Sequence, residues 1–329
     1  MAKQPQSMIT GTGMCVPDRV LTNSDLERLV ETSDEWIRER TGMEVRHIVE
    51  EGVFTSDLAA EAGRRALEDA GLTADQIDVI ILGTVTGDLG FPATACFVQE
   101  KLGAVNAAAM DIAAACSGFL YALTLGDALI ACGRAQRVLA IGAETLSLIT
   151  DYEDRATCVL FGDGAGAAVL EPARDGRGVL ATYMKSDGRL HHLLYMPGGG
   201  VKYRPSPETI AQRMFFIKME GREVFKYAVT AMGEAAELIL DKSGLSSDQV
   251  DLLIPHQANR RILDATAKRV GIPQERLYVN VDRYGNTSAA SIPIALDEAR
   301  RSGRVKAGDV VVMVAFGAGF TWGSAAVRL

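Results

Sequence analysis

The sequence predicts a duplicated α/β protein, and three observations predict it. The 329 residues include 33 glycines and are 48% hydrophobic, which suits a compact chain with many tight strand-to-helix turns. Short apolar runs of strand length alternate with helical periods. The chain also repeats itself. AGLTADQIDVIIL (70–82) aligns in register with SGLSSDQVDLLIP (243–255), with about half the positions identical, and FGDGAGAAVLE (161–171) resembles FGAGFTWGSAAVRL (316–329). Similar units in the same order imply two α/β halves, 1–173 and 174–329.

In order, residues 8–13 read as a first strand. Ser24-Asp25-Leu26-Glu27 and Thr32-Ser33-Asp34-Glu35 have capping-box spacing and predict two short helices. Residues 56–70 place Leu58, Ala59, Ala62, Ala66 and Leu67 on one helix face, with Gly71 as the C-cap. DVIILGT (78–84) is a buried strand, and a helix opens at Phe91 and ends near Gly103. Residues 107–115 are small and apolar, fitting a buried strand. From Ser117 to Gly133 the spacing of Phe119, Leu120, Leu123, Leu125, Leu129 and Ile130 fits a helix buried on most sides. Residues 136–144 form another buried strand, and 161–171 turn through glycines into a strand. The second half reads as a loop over 176–207, one long helix over 215–240 and a strand at 252–254. A helix at 260–270, a strand at 277–281, a turn at 284–288, a helix at 291–301 and a last central strand at 310–315 complete it.

The formal net charge of −8 argues against wholesale nucleic-acid binding. Cys15, Cys96, Cys116, Cys132 and Cys158 are scattered and odd in number, with no C-x-x-C pair. That argues against a disulfide framework or a metal site and for a reducing, cytoplasmic location. The opening MAKQPQSMITGTG lacks an apolar core of signal-peptide length, and no run approaches the roughly 18 apolar residues of a membrane span.

Cys116 stands where a strand turns into a helix, followed by Gly118. A thiol at a helix N-terminus feels the positive end of the macrodipole, which lowers its pKa. Free cysteine is also among the most buried residue types, so a small buried hydrophobe is the other reading of this stretch. Of the four histidines, His47, His191, His192 and His256, only His256 follows a buried strand directly, where open α/β sheets place ligands. Adjacent His191 and His192 read as loop residues. Asn286 occupies a comparable strand-to-helix turn one unit later. Together a thiolate, an imidazole and an amide suit acyl transfer with stabilisation of an enolate oxygen. Trp36 with Arg38 and Arg40 reads either as a half-buried aromatic or as an adenine stack beside phosphate-binding cations. FGDGAGAA lacks the G-x-G-x-x-G spacing of a dinucleotide loop and runs into a strand.

The motifs TSDEWIRERTGM (32–43), DIAAACSGF around Cys116, FGDGAGAAVL, IPHQANRRI around His256, DRYGNTSAAS around Asn286 and FGAGFTWGS span nearly the whole chain. With them the sequence resembles the 3-oxoacyl-[acyl-carrier-protein] synthase III family, the initiating condensing enzymes of bacterial type II fatty-acid synthesis. The resemblance implies a thiolase-like, five-layered αβαβα fold and a homodimer. It implies that Cys116 takes an acyl group from acyl-coenzyme A, acetyl-coenzyme A in this family's usual reaction. Malonyl-acyl carrier protein then loses carbon dioxide and condenses with the acyl group to give a 3-oxoacyl product. His256 and Asn286 match the pair that holds the malonyl thioester oxygen, and the backbone amides of Cys116 and Ala318 match the oxyanion hole. Trp36, Arg40, Thr41, Arg155, Gly221, Phe225 and Asn259 match substrate-binding positions. Phe91 matches a residue lent across the dimer to the acyl pocket. Gln257, Arg260, Arg261, Lys268 and Arg269 match the carrier-docking surface. No cofactor is implied beyond the coenzyme A thioester, and the alternative is a relative that makes quinolones or polyketides or only transfers acyl groups. Segment 189–214 is longer than the family's usual form.

Overall fold

The computed structural model describes residues 6–329; the first five residues of the segment read as lacking a signal peptide lie outside the described residues. One sheet is built from β1 (Ser7–Cys15), β2 (Val79–Gly83), β3 (Ala108–Ile112), β4 (Val138–Thr145) and β5 (Asp163–Pro172), in the order β1-β5-β4-β2-β3. The other is built from β6 (Gly178–Ser186), β7 (Leu252–Pro255), β8 (Val310–Gly317) and β9 (Thr321–Arg328), in the order β7-β8-β9-β6. The pairing pattern is shared. β4 runs parallel to β2 and antiparallel to β5, as β8 runs parallel to β7 and antiparallel to β9.

A short helix, α1 (Asp34–Thr41), precedes the layers. Helices α2 (Thr55–Ala70) and α3 (Thr94–Leu102) cover the outside of the first sheet, their apolar faces packed on the strands. Helix α4 (Gly118–Ala131) lies between the sheets, and α5 (Gly221–Ser243) and α6 (Arg260–Arg269) cover the outside of the second. Helix α7 (Ser291–Arg301) joins α4 in the middle layer, its Ile292, Ala295, Leu296 and Ala299 in one core with Phe119, Leu120 and Leu123. The result is the thiolase-like αβαβα stack.

Several expectations are corrected. Residues 176–207 are not loop throughout: β6 occupies their start, pairing along β9. The long helix begins at Gly221, because residues before it form the short strand Lys218–Met219. The strand expected at 277–281 shrinks to one bridge, Leu277 beside Leu253, where the first half has all of β3. The caps of the two short helices are Thr22, boxed with Asp25, and Ser33, one or two residues from the expected positions. The helix expected from Phe91 starts at Thr94, since Phe91 and Pro92 lie in a preceding loop. As expected, FGDGAGAA runs into a strand, β5, which lies between β1 and β4.

The middle layer depends on a close approach. A Cβ placed on Gly142 of β4 would lie 2.1 Å from the carbonyl oxygen of Ala289, in the turn that leads into α7. Backbone cannot yield as a flexible side chain does, so Gly142→Ala should cost at least about 1–3 kcal/mol. A fall in thermal midpoint of several degrees is expected. Gly188→Ala, with nothing within 4 Å of the added methyl, should leave the midpoint unchanged.

Candidate active site

Two turns meet where the sheets face each other. The 3-10 turn Ala115–Ser117 feeds α4, and Ser288–Ala290 feeds α7. Each opens with a non-glycine residue in the left-handed region, Ala115 at φ 46° and Ser288 at φ 47°. Such backbone is sparsely populated and clusters at functional sites. Cys116 follows Ala115. The end of β8 presses on it: a Cβ on Gly317 would sit 2.6 Å from the Cys116 amide nitrogen. Glycine at 317 therefore lets the two chains touch and sets Ala318 beside Cys116. Both line a cavity of about 320 Å³, with Ser288, Leu146, Phe161 and Ile217. Leu194, Tyr195 and Met196 of segment 189–214 complete its wall.

His256 leaves the end of β7 and is 1% exposed. Its Nδ1 lies 2.7 Å from Ser291 Oγ, which also accepts from the Gln257 amide at 3.4 Å. With that amide donating to it, Ser291 Oγ has its own proton for Nδ1. This pairing fits the tautomer that carries its proton on Nε2. Asn286 is fixed similarly: its Oδ1 accepts from the Ser288 amide at 2.9 Å, which turns its NH2 the other way as a donor. Ser288 lines the same cavity as Cys116. One turn thus carries Ser288 at the cavity with Cys116, Asn286 bound to its amide, and Ser291 bound to His256.

The electrostatics correct one expectation. Burial pushes the Cys116 thiol up to about 12; the Ser288 hydrogen bond pulls it down and the nearby Glu144 carboxylate pushes it further up. The helix N-terminus does not prevail over desolvation here. Burial pushes His256 down to about 3, so its imidazole is neutral. All five cysteines are free, and among the described residues no group of three His, Cys, Asp or Glu is placed to hold a metal ion.

The outer residues sort clearly. The Arg155 guanidinium stacks 5.2 Å from the ring centroid of half-buried Trp36. Arg40 is exposed beside them at the end of α1. Thr41 is buried, its hydroxyl donating to the Ile37 carbonyl and accepting from the Met43 amide, so it serves the helix end. Asn259 caps α6 through the Arg261 amide and donates to the Arg40 carbonyl at 3.0 Å, tying α6 to α1. Gly221 opens α5, and Phe225 one turn on lies under the Arg261 guanidinium at 5.1 Å. Phe91 is 86% exposed.

The docking set is corrected at Gln257. It is 1% exposed, and both ends of its amide are committed, to the Pro255 and Tyr278 carbonyls and the Asn280 amide. It braces the His256 loop and offers nothing to a partner. Arg269 is drawn into a paired contact with Glu237, and Arg260 pairs with Asp264. Arg261 and Lys268 are exposed.

Sequence reasoning missed Glu144, Ser288, Ser291 and His191. His191, read as a loop residue, lines the cavity with Cys116. Glu144 carried a readable signal: a carboxylate near the end of a strand otherwise free of charge. Ser288 and Ser291 carried none, since serine is ordinary in turns.

With Cys116 of the first half lining one cavity with Ser288 and Ala318 of the second, and with His256 and Asn286 outside that lining but tied to the Ser288–Ser291 turn, this is a thiolase-like acyltransferase. The model for the C-terminal part of 3-oxoacyl-[acyl-carrier-protein (ACP)] synthase III matches residues 240–329, and the 3-oxoacyl-[acyl-carrier-protein (ACP)] synthase III model matches 110–188. The chain is 55% identical to the beta-ketoacyl-[acyl-carrier-protein] synthase III of Desulfitobacterium hafniense, covering 97% of each. It is 51% identical to that of Caldanaerobacter subterraneus subsp. tengcongensis, covering 100% of this chain and 99% of the other. The crystal structure of 3-oxoacyl-[acyl-carrier-protein] synthase III from Aquifex aeolicus superposes with a TM-score of 0.92 at 48% identity, over 98% of this chain and 100% of that one. The chain belongs to the 3-oxoacyl-[acyl-carrier-protein] synthase III family, the condensing acyltransferases that initiate fatty-acid synthesis. No helix among the described residues is long and apolar enough to cross a membrane.

The His256 pKa is testable directly. Its folded value lies far below the unfolded 6.5, so the unfolded chain binds the proton first. Stability should therefore fall as pH drops from about 6.5 toward 3. The labelled His256 ring should keep its neutral NMR shifts down to about pH 4; titration near pH 6 would contradict this burial.

Proposed function

We propose that Cys116 carries the acyl group from acyl-coenzyme A and that His256 and Asn286 stabilise the enolate formed from malonyl-acyl carrier protein. The observation that carries this reading is a thiol opening onto an apolar cavity of about 320 Å³, a suitable size for a short acyl group and its thioester. In the acyl step, the amides of Cys116 and Ala318 receive the carbonyl oxygen. After coenzyme A leaves, the malonyl thioester enters. Its carbonyl oxygen is held by His256 Nε2–H and the Asn286 amide, so charge released by loss of carbon dioxide collects on a stabilised oxygen. The carbanion attacks the acyl carbon on Cys116. A neutral imidazole donates a hydrogen bond to that oxygen without protonating the carbanion, which is why the burial of His256 supports this role. The chemistry uses only protein groups and the two thioesters.

The coenzyme A nucleotide is assigned to Trp36 and Arg155, whose ring and guanidinium already stack, with Arg40 beside them for phosphate. A second copy of the chain is assigned to the β3 edge. Among the described residues no strand neighbours that side of β3, and nearby Phe91, Val105 and Leu89 are 86%, 75% and 58% exposed. Apolar side chains this exposed beside an open edge suit a homodimer in which Phe91 closes the partner's cavity. Acetyl-coenzyme A is the expected primer, and the cytoplasm the expected location.

Two experiments test these roles. Digestion after incubation with acetyl-coenzyme A should give an acetylated peptide containing Cys116; label on Cys132 or Cys158 would overturn the assignment. His256→Ala and Asn286→Ala should still acylate but lose decarboxylation by on the order of 10²–10³. The carrier surface is tested separately. Arg261→Glu should raise the KM for malonyl-acyl carrier protein several-fold while acylation by acetyl-coenzyme A is kept, and the wild-type KM should climb with salt because exposed charges are screened. Equal loss in both half-reactions would point to misfolding instead.

A further inference from the structure

Glu144 is 0% exposed at the end of a strand that is otherwise apolar apart from Thr145. Its Oε2 accepts from Thr86 Oγ1 at 2.7 Å, from the Val85 and Thr86 amides at 3.1 Å each, and from Thr84 Oγ1 at 3.2 Å. Thr86 is itself held by Thr55 and Thr145. Oε1 accepts from Ser288 Oγ at 3.0 Å. These groups are neutral, and beyond Ser288 the titratable group that faces Glu144 is Cys116. Hydrogen bonds alone hold a carboxylate in the interior, an arrangement costly to keep without a use.

Ser288 makes it useful. A hydroxyl has one proton. With that proton on Glu144, Ser288 turns a lone pair to the cavity it shares with Cys116, able to accept the thiol proton as it leaves and to donate to the sulfur once Glu144 is protonated. Ser288, at a left-handed φ of 47°, lines the cavity with Cys116 while its hydroxyl bonds Glu144. The buried thiol is a poor thiolate at rest, so its proton has to leave as the sulfur attacks. His256 is a poor acceptor for it, being pushed down to about 3, whereas burial pushes Glu144 up to about 7.

We propose that Glu144 is a positioning residue that takes the Cys116 proton through Ser288 during acylation. The proposal rests on Cys116 being the acylated residue. As Sγ attacks the thioester carbon, the S–H bond breaks and its proton passes to Ser288 Oγ, whose own proton passes to Glu144 Oε1. The Cys116 S–C bond forms, the C–S bond to coenzyme A breaks, and the departing thiolate takes a proton from water. Glu144 returns its proton to water before the next cycle, so acylation is proton-neutral overall.

The test is the pH profile of acylation, read as intact mass after rapid mixing with acetyl-coenzyme A. Wild-type enzyme should acylate faster as pH rises through a limb near 7. Glu144→Gln should lose the limb and slow by on the order of 10²–10⁴, the usual range for a removed proton acceptor. Ser288→Ala should do the same and decides the matter if Glu144→Gln fails to fold. Glu144→Asp should retain the limb with a smaller loss. Enzyme acylated beforehand should still condense with malonyl-acyl carrier protein in these variants. A flat wild-type profile, a limb retained in Glu144→Gln or Ser288→Ala, or parallel loss of both half-reactions overturns the proposal. An unlabelled Cys116 in the wild type would instead overturn the assignment of the acylated residue.

Discussion

The site depends on two backbone contacts that permit no side chain. Gly142 lies against the Ala289 carbonyl, and Gly317 lies against the Cys116 amide. The first seats the turn before α7 on the first sheet. The second brings the end of β8, in the second sheet, onto the turn before α4. Each sheet therefore reaches across the middle layer to hold the turn belonging to the other half. Interiors pack at crystal-like density, so a contact that admits hydrogen but no methyl fixes position to a fraction of an ångström. Orientation of reacting groups is worth many kilocalories to an acyl transfer, and these two glycines supply it before any ligand arrives.

Burial then sets the chemistry. The same dry environment pushes the Cys116 thiol and the Glu144 carboxyl up and His256 down. Desolvation disfavours whichever form is charged, so a buried acid and a buried base move in opposite directions from one cause. The thiol and the imidazole thus sit neutral at rest, and Glu144 is left as the acid whose charge changes near pH 7. An enzyme that forms a carbanion gains from this. A charged imidazolium near the carbanion would protonate it, and a free carboxylate in the cavity would repel the malonyl anion. Glu144 is held outside the cavity lining by the four donors on its Oε2, and its Oε1 bonds Ser288, which does line it.

Much of this was legible in the sequence, for identifiable reasons. The strands and helices that flank the site are long, apolar and periodic, and they lie where the pattern placed them. The family motifs pointed to Cys116, His256 and Asn286 together. What misled was local signal overridden by tertiary context. The 176–207 stretch looks like a loop because its latter part is rich in glycine and proline, yet its first residues find β9 and pair with it. Residues 277–281 look like a strand but make one bridge, and the chain turns into the short helix Val281–Tyr284 directly after them. Gln257 sits in a polar motif beside His256, and nothing in its type says that its amide is spent on backbone. The thiol pKa failed for a different reason: a helix end is visible in sequence, whereas desolvation is a property of what packs around it.

The duplication explains why the two turns differ. Aligned on their left-handed residues, Ala115 matches Ser288, Cys116 matches Ala289, and Gly118 at the start of α4 matches Ser291 at the start of α7. Each half has kept the strain and the helix start but filled the turn differently. The first half has a thiol where the second has Ala289 and a methyl where the second has the Ser288 hydroxyl, and the second adds Asn286 and Ser291. Had both turns kept a cysteine, two thiols would face each other across the join and compete for one acyl group. Had both kept a serine, neither would carry a sulfur nucleophile. A thiol on one side and hydroxyl and amide groups on the other is the arrangement that a symmetric frame permits once its two copies differ at these four positions.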